Sequence, residues 1–358
     1  TPHRCIADAH RGNDMRHRNH PTFASTCALA GVMLLLPAMT LWTQKVEFSG
    51  YGATGAAFID RNPVAEFNQE YYFEGKFQVD IAVNKKIDAQ LDFRGHSKDK
   101  SAVLREFSVK FDYVELAKIK VGNIKKPFSL EGLADRDEYI PINDSYLHRR
   151  VSELGYDGRN IGVMVYYNFK EKKPKYPFSY AVGAFRNQSY QSSVYARGSV
   201  HPGGGSFASV GYAVLSRSHD DAITTHGLSI DAGIERAAYT GSVEAIYVQD
   251  PEEGIRRRLM GADDRVNTAG AKLLNAYRID IGGEVVKLVE PWIMLGYFTP
   301  DLDLSDTHTL ELMLGVNVFL DENVRARLSM DGLFSKDARA DTYSTEGSSF
   351  GIELFVRY

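Results

Sequence analysis

The chain has 358 residues, a formal net charge of −4 and a mean hydropathy of −0.29. This balance offers no global basic field for nucleic acid, and the hydropathy argues against a helical membrane protein. It does not exclude a membrane β-barrel, because half of each barrel strand is polar. Tyr (20), Phe (19) and Gly (31) are abundant, as barrels require for interfacial girdles and tight turns. Both cysteines, Cys5 and Cys27, lie near the start, so the rest of the chain has no disulfide framework or thiolate metal site.

Residues 1–14 read as an upstream segment. Met15 is followed by Arg16, His17, Arg18 and His20, then by an apolar run over 28–39. A basic stretch before a short apolar one is the pattern of a secretory signal peptide, assigned to 15–44, with cleavage between 38 and 45. Pro37 and the shortness of the run count against a spanning helix.

From Phe48 onward there is no long helical period. Side chains alternate faces along a strand, and runs of about ten alternating residues recur to the end of the chain. The first is near 48–60. In 75–84, Phe77, Val79, Ile81 and Val83 oppose Gln78, Asp80, Ala82 and Asn84, and Lys85 and Lys86 form a tight turn. Ile87, Ala89, Leu91 and Phe93 then oppose Asp88, Gln90, Asp92 and Arg94. Phe107, Val109, Phe111 and Tyr113 oppose Ser108, Lys110 and Asp112; Ile119 and Val121 oppose Lys118 and Lys120. Ile161, Val163, Val165, Tyr167 and Phe169 form the clearest mid-chain strand. Further strands are predicted near 177–187, 193–201, 206–217, 225–236, 238–249, 267–279, 284–299, 308–320, 323–335 and 347–358. In the last, Phe350, Ile352, Leu354, Val356 and Tyr358 share one face, and Arg357 lies on the other. A closing strand that ends on a ring suits an outer-membrane barrel, with apolar faces toward lipid and polar faces toward a lumen.

Turn lengths support this. With the first strand running up from the periplasm, short turns near 84, 116, 171–175, 202–205, 237 and 321–323 all fall on the periplasmic side. Longer loops at 126–159, 250–266, 300–307 and 336–346 fall outside. The count closes at sixteen antiparallel strands when 280–299 contributes one strand and one turn; fourteen or eighteen remain open. Pro291 makes that region the weakest, since proline cannot donate within a ladder, and the alternative turn lies at Glu290–Pro291. The domain reading is one barrel over 45–358 with a long third external loop, 126–159.

Ile119-Lys120-Val121-Gly122-Asn123-Ile124-Lys125-Lys126-Pro127-Phe128-Ser129-Leu130-Glu131 resembles a strand end of the phosphate-selective porin O/P family. Gly158-Arg159-Asn160-Ile161-Gly162-Val163 resembles the opening of that family's next strand. The run from Leu314 to Arg325 is similar to its penultimate hairpin, with the family's tryptophan, tyrosine and proline replaced. The resemblance implies a sixteen-stranded bacterial outer-membrane porin, usually a homotrimer in the lipid, passing small anions such as phosphate. It also implies an inward-folded third loop and lumen-facing lysines and arginines that set selectivity.

A pore needs a polar lumen, a constriction and a charge pattern there, with no nucleophile, metal or cofactor. The constriction candidates are Lys110, Lys118, Lys120, Arg136, His148, Arg149, Arg150, Arg159, Arg325 and Arg327. Lys118 and Lys120 rank first because they lead toward the loop. By alternation Lys76, Arg94, Glu74, Asp80, Asp88, Asp92, Asp112, Glu311, Asp331 and Glu353 also face inward. These signs are mixed, so anion or phosphate preference comes from the resemblance and not from composition. A lumen lysine beside an aspartate on the next strand can equally be a wall-stiffening pair. His148, Arg149 and Arg150 can pair with acids of their own loop, and Lys125 and Lys126 can be rim charges meeting lipid headgroups.

The acids of 250–264 lack Ca²⁺-loop spacing, the histidines lack ligand spacing, and Gly203-Gly204-Gly205 is a turn and not a phosphate loop. Three other readings compete. A barrel scaffold for surface adhesion or partner binding is opposed by mostly short external loops. A barrel hydrolase is opposed by the lack of a Ser/His/Asp arrangement. A soluble sandwich is opposed by the signal segment and the alternation in nearly every strand.

Overall fold

The computed structural model describes residues 45–60, 68–97, 101–169, 175–186, 191–217, 223–261, 265–304, 307–336 and 344–358. The proposed upstream and signal segments lie outside them. Eight strands form the first half: β1 (Lys45–Asp60), β2 (Asn68–Asn84), β3 (Ile87–His96), β4 (Ser101–Phe111), β5 (Lys118–Lys125), β6 (Arg159–Tyr167), β7 (Phe178–Arg186) and β8 (Gln191–Gly203). The second half comprises β9 (Ser206–Arg217), β10 (Ile223–Arg236), β11 (Tyr239–Gln249), β12 (Asn267–Tyr277), β13 (Leu288–Thr299), β14 (His308–Phe319), β15 (Val324–Lys336) and β16 (Ser344–Arg357). Each pairs antiparallel with its neighbours, and β16 returns to β1 with Leu354 opposite Thr54. The sheet is thereby a closed sixteen-stranded barrel without a free edge, the condition for strands in hydrocarbon.

Alternation is inverted relative to a soluble protein. Phe350, Ile352, Leu354 and Val356 are exposed on the outer face, whereas Glu353 and Phe355 are buried inside. The same holds for Ile161, Val163 and Val165 against Met164 and Tyr166. Outward rings gather at two levels. Phe48 stacks on Phe77 and Tyr239 tilts on Tyr277 near the short turns. Tyr212 stacks on His226 and Tyr297 tilts on His308 near the long loops. Two aromatic girdles around an apolar band define a membrane barrel, and place the chain in an outer membrane. Among the described residues no helix is long and apolar enough to cross a membrane.

Several boundaries differ from expectation. β2 starts at Asn68 instead of 75, and β4 starts at Ser101 instead of 107. A bulge at Arg105 interrupts the β3–β4 register, which obscured the first half of β4. Pro291 lies within β13, not in a turn, and pairs with Val316 on its β14 side. On its other side the β12 ladder stops at Ala276–Trp292 and resumes at Ile279–Val289. The missing N–H of proline accounts for the gap at Arg278, and the turn follows at 281–287. Phe169 turns inward instead of continuing the outer face of β6. Asn168 has a φ of 47°, a left-handed conformation that asparagine tolerates, and it ends the alternation.

The external segment 250–266 holds a helix that sequence periodicity did not predict, α3 (Pro251–Leu259). Its cap is Asp250, whose carboxylate accepts from the Glu252 and Glu253 N–H groups. Two shorter helices, α1 (Leu130–Leu133) and α2 (Tyr146–Glu153), lie in the third loop.

Candidate functional site: the loop-lined lumen

The third loop folds into the barrel. Its own sequence accounts for this. Leu147 and Val151 stand four residues apart on α2, and both are buried. With Phe128, Leu154 and Tyr156 they join lumen-face side chains Met164, Tyr195, Leu215, Ile246, Val248 and Phe298 in one apolar cluster. Ile140 joins a second with Leu274, Trp292, Met294 and Met313. Inward glycines make room. A Cβ on Gly227 would lie 2.6 Å from the Tyr156 ring, and one on Gly270 would lie 2.4 Å from Leu147 Cδ1.

Polar contacts moor the loop to the wall from β8 round to β16. Arg197 donates to the Phe128 carbonyl at 2.6 Å and forks onto Asp231. Glu244 accepts the Leu130 N–H at 2.5 Å, and Lys272 sits between Glu131 and Glu244. The Tyr146 N–H donates to Glu311 at 2.9 Å, and Asn143 donates to Asp331 at 2.8 Å. Arg136 reaches Glu353 at 2.8 Å. Arg327, fully buried, pairs with Glu353 and donates to the Tyr139 and Pro141 carbonyls at 3.3 Å each.

Inside the loop Glu131 organises the turn between α1 and α2. It accepts from the Tyr139 hydroxyl at 2.6 Å and from the Ser145 N–H at 2.7 Å. Burial opposes its charge, yet Lys272 and His148 hold its pKa down at about 2. His148 lies 3.3 Å from Asp157, which also takes the Ser129 hydroxyl proton bond. Burial resists protonation of His148, but the hydrogen bond and charge of Asp157 raise it to about 9. Lys126 is buried and donates to the Gly155 carbonyl at 2.6 Å; burial pulls it down to about 8 against the attraction of Asp157. Neither it nor Lys125 is a rim charge for headgroups. Lys125 holds the Leu133 and Ala134 carbonyls and Asp135 at 2.7–3.0 Å.

The loop fills the β7–β16 side of the lumen and leaves open space along β2–β6. A cavity of about 360 Å³ near the periplasmic mouth meets one of about 210 Å³ beside the loop base. Gln90, Lys120 and Tyr166 line both. The combined cationic lining is Lys45, Lys76, Lys110, Lys120, Lys125 and Arg159. Its acidic lining is Glu47, Asp80, Asp88, Asp92, Glu106 and Asp135, equal in number.

The ten constriction candidates divide accordingly. Lys110, Lys120 and Arg159 come together on the open wall and Lys118 stands apart, each with a carboxylate. Lys110 meets Asp88 at 2.9 Å, Lys118 meets Asp112 at 3.6 Å, and Glu106 takes Lys120 at 2.6 Å and Arg159 at 3.0 Å. Lys118 lies at the periplasmic end of β5, away from the loop, and lines a separate rim cavity. Arg325 and Arg327 lie on β15 across the lumen, under the loop, and Arg136 of the loop meets the same wall at Glu353. Arg325 donates to the Asp137 carbonyl at 3.0 Å and stands 4.7 Å from the Phe355 ring centre. His148 and Arg150 pair within the loop, Arg150 with Glu153 at 2.5 Å, whereas Arg149 approaches Glu311 of the wall at 4.0 Å.

Sequence reasoning missed Glu106, which anchors two of the candidates. Its parity with Ser108 and Lys110 was the available signal, one residue before the strand was taken to start. It also missed Arg197, Asp231, Glu244 and Lys272, charged residues at inward positions of otherwise small or apolar strands.

No protein-family model and no curated protein matches this chain. Solved structures do. OprB of Pseudomonas putida superposes with a TM-score of 0.64 at 12% identity, over 92% of this chain and 97% of that one. An anion-selective porin from Comamonas acidovorans gives 0.61 at 11% identity, over 88% and 98%. OmpF of Salmonella typhi gives 0.61 at 11%, also over 88% and 98%. At these identities the likeness is one of fold, and the fold is the sixteen-stranded outer-membrane porin barrel.

Proposed function

We propose that the chain forms a water-filled outer-membrane channel for small hydrophilic solutes. The observation that carries this reading is the pair of adjoining cavities between the inward loop and the β2–β6 wall, lined by charged and amide side chains. A polar path narrowed by a fixed loop supplies a permeation route without any catalytic group.

The sequence resemblance adds anion or phosphate preference. The lining offers no cationic excess, and its lysines are ion-paired, which supports weak charge selectivity instead. Assembly as a homotrimer follows the same resemblance, and a solved OmpT of Vibrio cholerae with this fold is described as a trimer form. Planar-bilayer recording tests the channel, and chemical cross-linking in native detergent tests the trimer: bands beyond the monomer up to three copies support it, and monomer alone opposes it.

A further inference from the structure

The periplasmic turns that follow β2, β4 and β6 meet around a cavity of about 350 Å³ that shares no lining residue with the two in the lumen. The turns are tied together beside it. The Lys86 carbonyl accepts the Asp112 N–H at 2.7 Å, and the Tyr180 hydroxyl donates to the Leu116 carbonyl. Two acids line the cavity, and each has a lysine: Asp112 meets Lys118 at 3.6 Å, and Glu115 pairs with Lys175. The third lysine of the lining, Lys86, has no carboxylate partner among the described residues. Its ammonium group is the excess charge of the cavity.

Lys118 alternates with the exposed Ile119 and so faces inward, whereas Tyr167 continues the outer face of β6 after Val165. Side chains from both faces line one cavity, so it straddles the lower edge of the barrel. On the lipid side it adjoins an aromatic group. The Tyr167 ring centre lies 5.3 Å from that of Phe178 and 5.8 Å from that of Tyr176, and the Lys175 ammonium stands 5.4 Å from the Tyr176 centre. Rings and lysines at one level mark the boundary between acyl chains and headgroups. Toward the bilayer centre, Ile119, Val165 and Val182 stand side by side on β5, β6 and β7, exposed, as an apolar lane for an acyl chain. We propose that this cavity holds the headgroup of an anionic phospholipid from the leaflet facing the periplasm, with its phosphate on Lys86. A net-negative headgroup answers the single excess cation, and a zwitterionic one brings a cation of its own and gains less. The site does not depend on whether the pore conducts.

The test is native mass spectrometry of the full-length protein in non-ionic detergent, titrated with dioleoylphosphatidylglycerol or, separately, dioleoylphosphatidylcholine. One phosphatidylglycerol per chain should be held at least about fivefold more tightly than phosphatidylcholine. Lys86→Glu should weaken phosphatidylglycerol by about the same factor, and Lys86→Arg should retain it. Lys85→Glu makes the same charge change one residue away, outside the cavity lining, and should have a much smaller effect. Lys86 is exposed in a turn, which tolerates substitution; should Lys86→Glu still fail to fold, Lys86→Gln supplies the reading, with the same direction of change. Equal retention of the two lipids overturns the proposal, as do equal effects of Lys85→Glu and Lys86→Glu. Displacement of phosphatidylglycerol by low-millimolar inorganic phosphate would make the cavity a site for the free anion and overturns the lipid assignment.

Discussion

Arg327 of β15 and Glu353 of β16 face each other at one ladder position, and both side chains are buried to within 1% of completely. The carboxylate serves two masters, since Arg136 of the third loop reaches the same residue from across the lumen at 2.8 Å. Removing it leaves two guanidinium groups without their charge partner. Breaking a buried pair costs about 3–5 kcal/mol, so Glu353→Gln should release the loop end at 136–142. Heat-induced mobility shift in detergent gel should occur at a lower temperature, and open-channel noise should rise. An unchanged shift temperature together with a quiet current would refute this mooring role.

The approach of α2 to β12 gives a second prediction. Gly270→Leu puts a branched side chain where Leu147 already lies. Overpacking of this kind costs about 1–3 kcal/mol, and tilting α2 away relieves it. Because α2 then moves from β12 toward the open β2–β6 side, mean single-channel conductance should decrease relative to wild type, with sublevels from loop movement. Identical conductance would mean that the loop does not limit the current.

His148 makes loop docking depend on pH. Its pKa is raised from 6.5 to about 9, so the stabilisation is full below about 6.5 and is lost as pH rises through about 9. Asp157 is held below its ordinary range despite burial, by the hydrogen bond and charge of His148, so the pair is also weakened in acid as Asp157 takes up a proton. Channel noise should therefore climb between about pH 7 and 10, and His148→Gln should be noisy already at pH 7 with a flatter profile. A flat wild-type profile over that range would remove the His148–Asp157 pair from the docking account.

Selectivity should respond unequally to two neighbouring lysines. Lys120→Glu sets a carboxylate against Glu106, where both lumen cavities meet. Reversal potential in a KCl gradient should shift clearly toward cations. Lys118→Glu, at the periplasmic rim, should shift it less, and the double variant most. Equal shifts would contradict the placement of Lys120 at the narrower level.

Strand positions were legible because lipid outside and water inside impose alternation on every strand, and turn lengths fixed their direction. The reading failed where a local conformation broke the alternation: the bulge at Arg105, the left-handed Asn168, and Pro291 within a strand. Loop burial was less legible. The Leu147–Val151 spacing and the rings Phe128 and Tyr156 pointed to it, but their partners lie on distant strands. Glu131–Lys272 and Arg327–Tyr139 are pairs that only the closed barrel brings together, and no local pattern marks them. Charge alone likewise made Arg325 and Arg327 look like pore groups, whereas their surroundings make them supports for the loop.

The central claim is that an open aqueous path runs past the loop along β2–β6. Single-channel recording of the purified protein in a planar bilayer tests it most directly. Stepwise openings, with a reversal potential close to zero in a KCl gradient, are the predicted result. Absence of steps at high protein load, with insertion verified by the heat-dependent mobility shift, would contradict it.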